Sequence, residues 1–315
     1  MKTSVLLITT TTRGFGPARM PKALFDAGFE VSLLAPANSL AEKSRFIARV
    51  GHLPDAATTW QWIYAFAATV KACSPRLVIP GDDAAVRLLQ MLASTPLPEI
   101  QPAIRDELAA LIRDSLGDPA NSGDDRVLSA AAALGISVAP GAEAGSVATA
   151  GTFVSYRGAA WKGELLSGYA AEKLAALPQP DGASTVSRYH RSPALREMAS
   201  TLAKALEITG FFSVECVIDG SSGDPCLLGI KRRITANTHR GSAYDVDPCK
   251  ALLAALQGLP ATTRTDFDEG EEHIGVHFPQ EWLRDPGSRW LRDYPVDLPW
   301  EEPELIEAMI ALRRG

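Results

Sequence analysis

Four cysteines in 315 residues, at Cys73, Cys216, Cys226 and Cys249, form neither a CxxC pair nor a set spaced as metal ligands. Thiols this few and this scattered predict reduced cysteines and no disulfide framework. Long hydrophobic runs are missing too. The opening "MKTSVLLITTTT" has one lysine and an apolar stretch that stops at threonines, too short for a signal-peptide core. No later run approaches the roughly 20 residues of a membrane span. Positive charge is also short: 31 Lys and Arg against 37 Asp and Glu leave a formal net charge of -6, whereas general nucleic-acid binding needs a basic face. The expected location is the cytoplasm, with neither membrane nor nucleic acid as a partner.

What is present is an ordinary globular composition, and the length suggests two domains. Residues 3–9, "TSVLLIT", read as a buried strand, and 17–27 carry apolar side chains at helical spacing up to Gly28, a C-cap. "EVSLLAP" and "RLVIP" are two further strands, the latter followed by a helix starting at "GDDAAVRLLQMLA". Strands alternating with helices indicate a parallel α/β sheet. The first loop, "TTTTRGFGPAR", fails as a dinucleotide site: it has two of the three glycines, and no acid ends the second strand. Asp82 and Asp83 stand at the carboxyl end of a strand, where ligands collect in such sheets, and also where a helix N-cap belongs.

A proline-bearing stretch at 95–125 predicts a domain boundary near 120, followed by a helix that stops at Gly135. Beyond it, "TFVSYRGAAWKGELLSGYAAEK" alternates like a hairpin or meander, and 193–209 form an amphipathic helix. "GFFSVECVID" and "PCLLGIKRRI" are strands joined by "GSSGD". Both are apolar on both faces, so this hairpin is expected in the centre of an antiparallel sheet. "HIGVH" reads as an edge strand; its His273 and His277 lie four apart, but a metal site there is not favoured. The tail from 263, with Trp282, Trp290 and Trp300, is expected to wrap over the body and end in a helix.

Four segments together resemble the ATP-grasp superfamily, in particular its carbamoyl-phosphate-synthetase-like and carboxylate–amine ligase branches. They are "RLVIPGDDAAVRLL", "DDRVLSAAAALGISVAPG", "EMASTLAKALEITGFFSVECVIDGSSGDPCLLGIKRRI" and "GSAYDVDPCKALLAALQG". The resemblance implies a parallel α/β domain of the kind that precedes the grasp over 1–120. It implies a reduced α+β ATP-grasp-like domain with an antiparallel sheet over 121–262, and 263–315 is then an extension packed on the body. In the family the terminal hairpin carries an acid on one strand and a motif of the form "LLEINPR" on the next, which together hold Mg²⁺ against the ATP phosphates.

Carried over residue by residue, that site is altered. Glu215 matches the first metal ligand and Arg233 the arginine, a catalytic position. Gly229 stands in place of the second carboxylate, Lys231 in place of the asparagine, and Arg232 in place of the proline. Two like charges 4 Å apart repel by about 4 kcal/mol at an effective dielectric near 20, so an ammonium at a metal position disfavours Mg²⁺. The helix-opening lysine is replaced by Arg126, and the nucleotide lid is truncated to 141–150, which has no lysine. Arg126, Lys231, Asp82 and Asp83 remain candidates for cofactor contact.

The expectation is a degenerate ligase homologue, non-catalytic or weakly active, that binds a small anionic metabolite or a partner protein and takes no cofactor. The alternative is an active ATP- and magnesium-dependent ligase in which Lys231 and Arg233 act where a metal would. Alternation along the strand puts Gly229, Lys231 and Arg233 on one face, and the resemblance implies that this face and that of Glu215 both turn toward the cleft. Lys231 or Arg233 is expected to pair with that carboxylate, either merely neutralising it or leaving a net positive anion site.

Overall fold

The computed structural model describes residues 2–95, 101–139, 151–178, 182–220 and 223–312, so the shortened lid at 141–150 falls outside the described residues. The chain starts with β1 (Thr3–Ile8), α1 (Phe15–Ala27), β2 (Phe29–Pro36), β3 (Ile47–Leu53), α2 (Thr59–Cys73), β4 (Leu77–Pro80), α3 (Asp83–Ser94) and α4 (Pro102–Leu116). The strands form one parallel sheet in the order β3-β2-β1-β4. Both faces of this sheet are covered, which is why its strands read as continuous apolar runs. Val5 and Leu7 pack toward α1 while Leu6 and Ile8 pack toward α2, α3 and α4. Gly28 ends α1 in the left-handed region (φ 111), its N–H donating to the Leu24 and Phe25 carbonyls. The β3–α2 pair was not anticipated from the sequence. Only Leu53 of β3 is buried, so its apolar signal is weak, yet α2 opens on a reciprocal capping box between Thr58 and Gln61.

The rest comprises α5 (Asp124–Ala133), β5 (Gly151–Trp161), β6 (Glu164–Leu177), β7 (Ala183–His190), α6 (Pro193–Ala205), β8 (Gly210–Asp219), β9 (Pro225–Lys231) and α7 (Pro248–Gln257). It continues with β10 (Glu272–His277), α8 (Gln280–Arg284), α9 (Arg289–Asp293), β11 (Val296–Asp297) and α10 (Pro303–Ala311). A seven-stranded sheet runs β11-β10-β7-β6-β5-β8-β9, antiparallel except between β10 and β11. Two expected positions change. The β8–β9 hairpin is not central: β8 is internal, but β9 is the last strand. Its apolar residues are buried instead by α5 and α6, which cover Val214, Cys216 and Leu227. Part of its free edge is closed by Ser137 and Ala139, which exchange backbone bonds of 2.8 Å with Leu227. Conversely, β10 is not an edge strand, because the two residues of β11 continue the sheet beyond it.

The two sheets meet through α1 and α7, where Cys249 and Leu252 share a core with Phe211 and Ile234. Gly16 is required there: a Cβ at that position would stand 2.8 Å from the Thr235 carbonyl oxygen. The tail returns to the first sheet, with Leu305 and Met309 of α10 packed on Ala18 and Leu40.

One buried carboxylate ties these parts together. Asp297 on β11 meets Arg19 of α1 at 2.6 Å, His239 Nε2 at 2.6 Å and Arg240 at 3.1 Å. Burial would raise its pKa, but the histidine and the two guanidiniums hold it well below the ordinary carboxylate range. Burial depresses the His239 pKa, so the imidazole is neutral and donates its Nε2 proton. Because the Asp297 pKa is lowered on folding, its stabilisation is complete above the unfolded value of about 4. That stabilisation is lost as pH falls toward the folded value. Asp297→Asn is expected to destabilise the fold by about 3–5 kcal/mol, since it strands two buried arginines. Urea unfolding at pH 7 measures this, and the deficit relative to the parent should shrink in acid.

Candidate functional site

The face of the seven-stranded sheet turned away from α5 and α6 is built in rows by its register. Ala171, Ser155, Glu215 and Gly229 lie opposite one another across β6, β5, β8 and β9. One pleat further, Arg157, Ser213 and Lys231 form the next row. On the other side Lys173 stands opposite Ser187, with its Nζ 4.8 Å from the centre of the Phe153 ring. The middle row, small apart from Glu215, lies between the cations Arg157 and Lys231 on one side and Lys173 on the other, and leaves a trough. The backbone at 235–237 closes it into a cavity of about 360 Å³.

Glu215 and Lys231, both singled out from sequence, line this cavity together with Arg233. Glu215 accepts a 2.6 Å hydrogen bond from Ser213 Oγ. Burial pushes its pKa up, yet Lys231 and Arg157, helped by that bond, hold it below the ordinary carboxylate value. Lys231 is exposed and acts on Glu215 through space, without an ion-pair contact. The expected pairing by Arg233 is replaced. Its guanidinium forks onto Asp83, Nε to Oδ1 at 2.6 Å and Nη2 to Oδ2 at 2.9 Å, linking the end of β9 to the first turn of α3. The reason is geometric: beyond Lys231 the chain leaves the sheet, and Arg233 meets the carboxylate that matches a planar fork.

Asp82 sits elsewhere. It caps α3 by accepting from the Ala85 N–H and also accepts from Thr10 N, Thr10 Oγ1 and Thr9 Oγ1. Its oxygens are thus committed to shaping the first loop. Arg126 is exposed on the first turn of α5 and is not part of the cavity lining. Gly229 faces open space: a Cβ there would meet nothing within 4 Å.

Sequence reasoning missed Arg157 and Lys173. Arg157 Nε and Nη1 are buried without a hydrogen-bond partner, while Lys173 donates to the Gly182 carbonyl at 2.9 Å. The available signal was strand parity, since Arg157 shares its face with Ser155 in "TFVSYRG". Behind the far wall, His277 Nε2 lies 2.9 Å from Asn237 Nδ2 and 3.0 Å from Ser187 Oγ. Burial keeps this imidazole neutral, its pKa well below the usual value, so it accepts from the amide and holds Asn237 at the cavity wall.

Solved structures share this fold. The chain is similar to pyruvate carboxylase from Rhizobium etli, with a TM-score of 0.56 and 14% identity over 87% of this chain and 26% of that one. The biotin carboxylase domain of a single-chain bacterial carboxylase gives 0.55 and 15%, covering 86% of this chain and 74% of that one. The L-amino acid ligase from Bacillus licheniformis gives 0.52 and 12%, over 82% and 75%. No protein-family model and no curated protein sequence matches the chain. The likeness is one of fold. In particular, the chain has an ATP-grasp-like fold.

If Lys231 is the main charge acting on Glu215, Lys231→Met should move the carboxyl titration of Glu215 to higher pH. Side-chain carboxyl NMR reads the change directly, and an unmoved titration would assign the effect to Arg157.

Proposed function

We propose that this ligase-fold protein binds a small anionic metabolite in the cavity over Glu215, and that it does so without a metal and without ATP-driven ligation. The observation that carries the reading is the pair of rows at the hairpin. Where the family's metal site needs a second carboxylate there is Gly229 with empty space beyond it. Where it needs an amide oxygen there is an exposed ammonium, Lys231. Among the described residues Glu215 is the single carboxylate in the lining, and no group of three or more His, Cys, Asp or Glu side chains could hold a metal ion. That donor set does not fit magnesium, whose ligands are oxygens and whose neighbours are anionic.

With Arg233 matched by Asp83, the cations Arg157 and Lys231 outnumber Glu215, and this excess favours a phosphate or carboxylate through charge-assisted hydrogen bonds. A second reading, a ligase using Lys231 and Arg233 in place of a metal, is favoured by the presence of both side chains in one cavity. Magnesium-dependent release of phosphate from ATP in the presence of mixed carboxylates and amines would establish that reading.

Calorimetry should detect inorganic phosphate binding, and Lys231→Ala should weaken it on the order of tenfold, as for loss of one hydrogen bond to a charged group. Micromolar, magnesium-dependent ATP affinity of the parent protein would overturn the metal-free reading. The double substitution Gly229→Glu with Lys231→Asn should lose phosphate and gain Mg²⁺, because the open space at 229 admits the carboxylate. Equal phosphate affinity in parent and double variant would show that the cations serve Glu215 alone.

A further inference from the structure

The cavity is chemically divided. Arg157 and Lys231 lie along one side, beside Glu215 and beside Arg233, whose charge Asp83 already matches, whereas much of the remaining polar lining is uncharged: Ser155, Ser184, Ser187, Thr235 and Asn237. Lys173, on that second side, is engaged by the Gly182 carbonyl and the Phe153 ring. Ser184 Oγ donates to the Val186 carbonyl at 2.9 Å, which leaves its lone pairs as acceptors. It also lies 2.8 Å from Ser187 Oγ, and Ser187 in turn meets His277, so the hydroxyls form one connected wall.

A ligand anchored by its anion to the cations therefore presents its other end to hydroxyls and an amide. That end should carry hydrogen-bonding groups, because a purely apolar tail would leave the wall unpaired. It should not carry an ammonium, which the same excess of positive charge would repel. Nor does the lining offer an apolar slot for a nucleotide base: its apolar members are Phe153, Val154 and three alanines.

We infer that the ligand is a small hydroxylated anion, a phosphate ester or carboxylate of a polyol, and not an ammonium-bearing amino acid. This rests on the anion-site reading above and narrows it to a ligand class.

Calorimetry on the full chain tests the inference with ligands that share one head group: inorganic phosphate, propyl phosphate, glycerol 3-phosphate and phosphoethanolamine. A parallel pair, propionate and glycerate, asks whether the anchored group is a carboxylate. Glycerol 3-phosphate should bind about fivefold more tightly than propyl phosphate, the value of one net hydrogen bond, and phosphoethanolamine should bind most weakly. Ser184→Ala should remove the advantage of the hydroxylated ligand and leave inorganic phosphate unchanged. Discrimination confined to the glycerate pair supports the same inference with a carboxylate head. Equal binding within both pairs, or phosphoethanolamine as tight as glycerol 3-phosphate, overturns it while leaving the anion site standing. Failure of every ligand, inorganic phosphate included, removes the anion site itself and this inference with it.

Discussion

Arg19 from one end of the chain and the adjacent His239 and Arg240 converge on the single carboxylate of Asp297, in a place largely withdrawn from water. A buried charge has to be matched by geometry, and that requirement links three parts: α1 under the parallel sheet, the turn at Thr238–Tyr244 that carries Arg240, and the tail that delivers β11. The turn is continuous with 235–237, which close the cavity. Asn237 is thus held from two directions, by the chain entering the turn and by His277 on β10. The tail is part of the site's construction, although none of its residues lines the cavity.

The cavity sets one acid, Glu215, among the cations Arg157, Lys173, Lys231 and Arg233. Glu215 is held below the ordinary carboxylate value despite its enclosure, because the charges of Lys231 and Arg157 and the Ser213 hydroxyl favour its ionised form. Arg233 does not add to this excess. Its fork onto Asp83 spends that charge on joining the two sheets, so the positive side of the cavity depends chiefly on residues of β5 and β9. The same fork accounts for Asp83, whose pKa is lowered first of all by its hydrogen bonds to Arg233.

Several features were legible because they depend on local pattern alone. The parallel strands announced themselves by continuous apolar runs, the α1 terminus by Gly28, and the hairpin by two apolar segments around a glycine-bearing loop. Alternation along a strand was enough to group Lys231 with Gly229, and Glu215 with Ser213, since side-chain direction has period 2; that the two groups share a face is decided by the pairing of β8 with β9. β3 escaped notice because an edge strand with one buried residue carries little alternation to detect. The position of β9 was misjudged because burial by helices and burial by flanking strands leave the same apolar signature.

By itself, then, the sequence determined a parallel α/β part followed by an antiparallel sheet, and most of their strands and helices, though not β3 and α2. Those follow from residue type and spacing. Which groups meet across the chain was decided only by the tertiary structure. Arg233 found Asp83 150 residues away, Arg157 arrived beside Glu215 by strand register, and Asp297 was brought to Arg19 across 278 residues. Long-range pairing of charges depends on distances in space, and no periodicity along the chain encodes them.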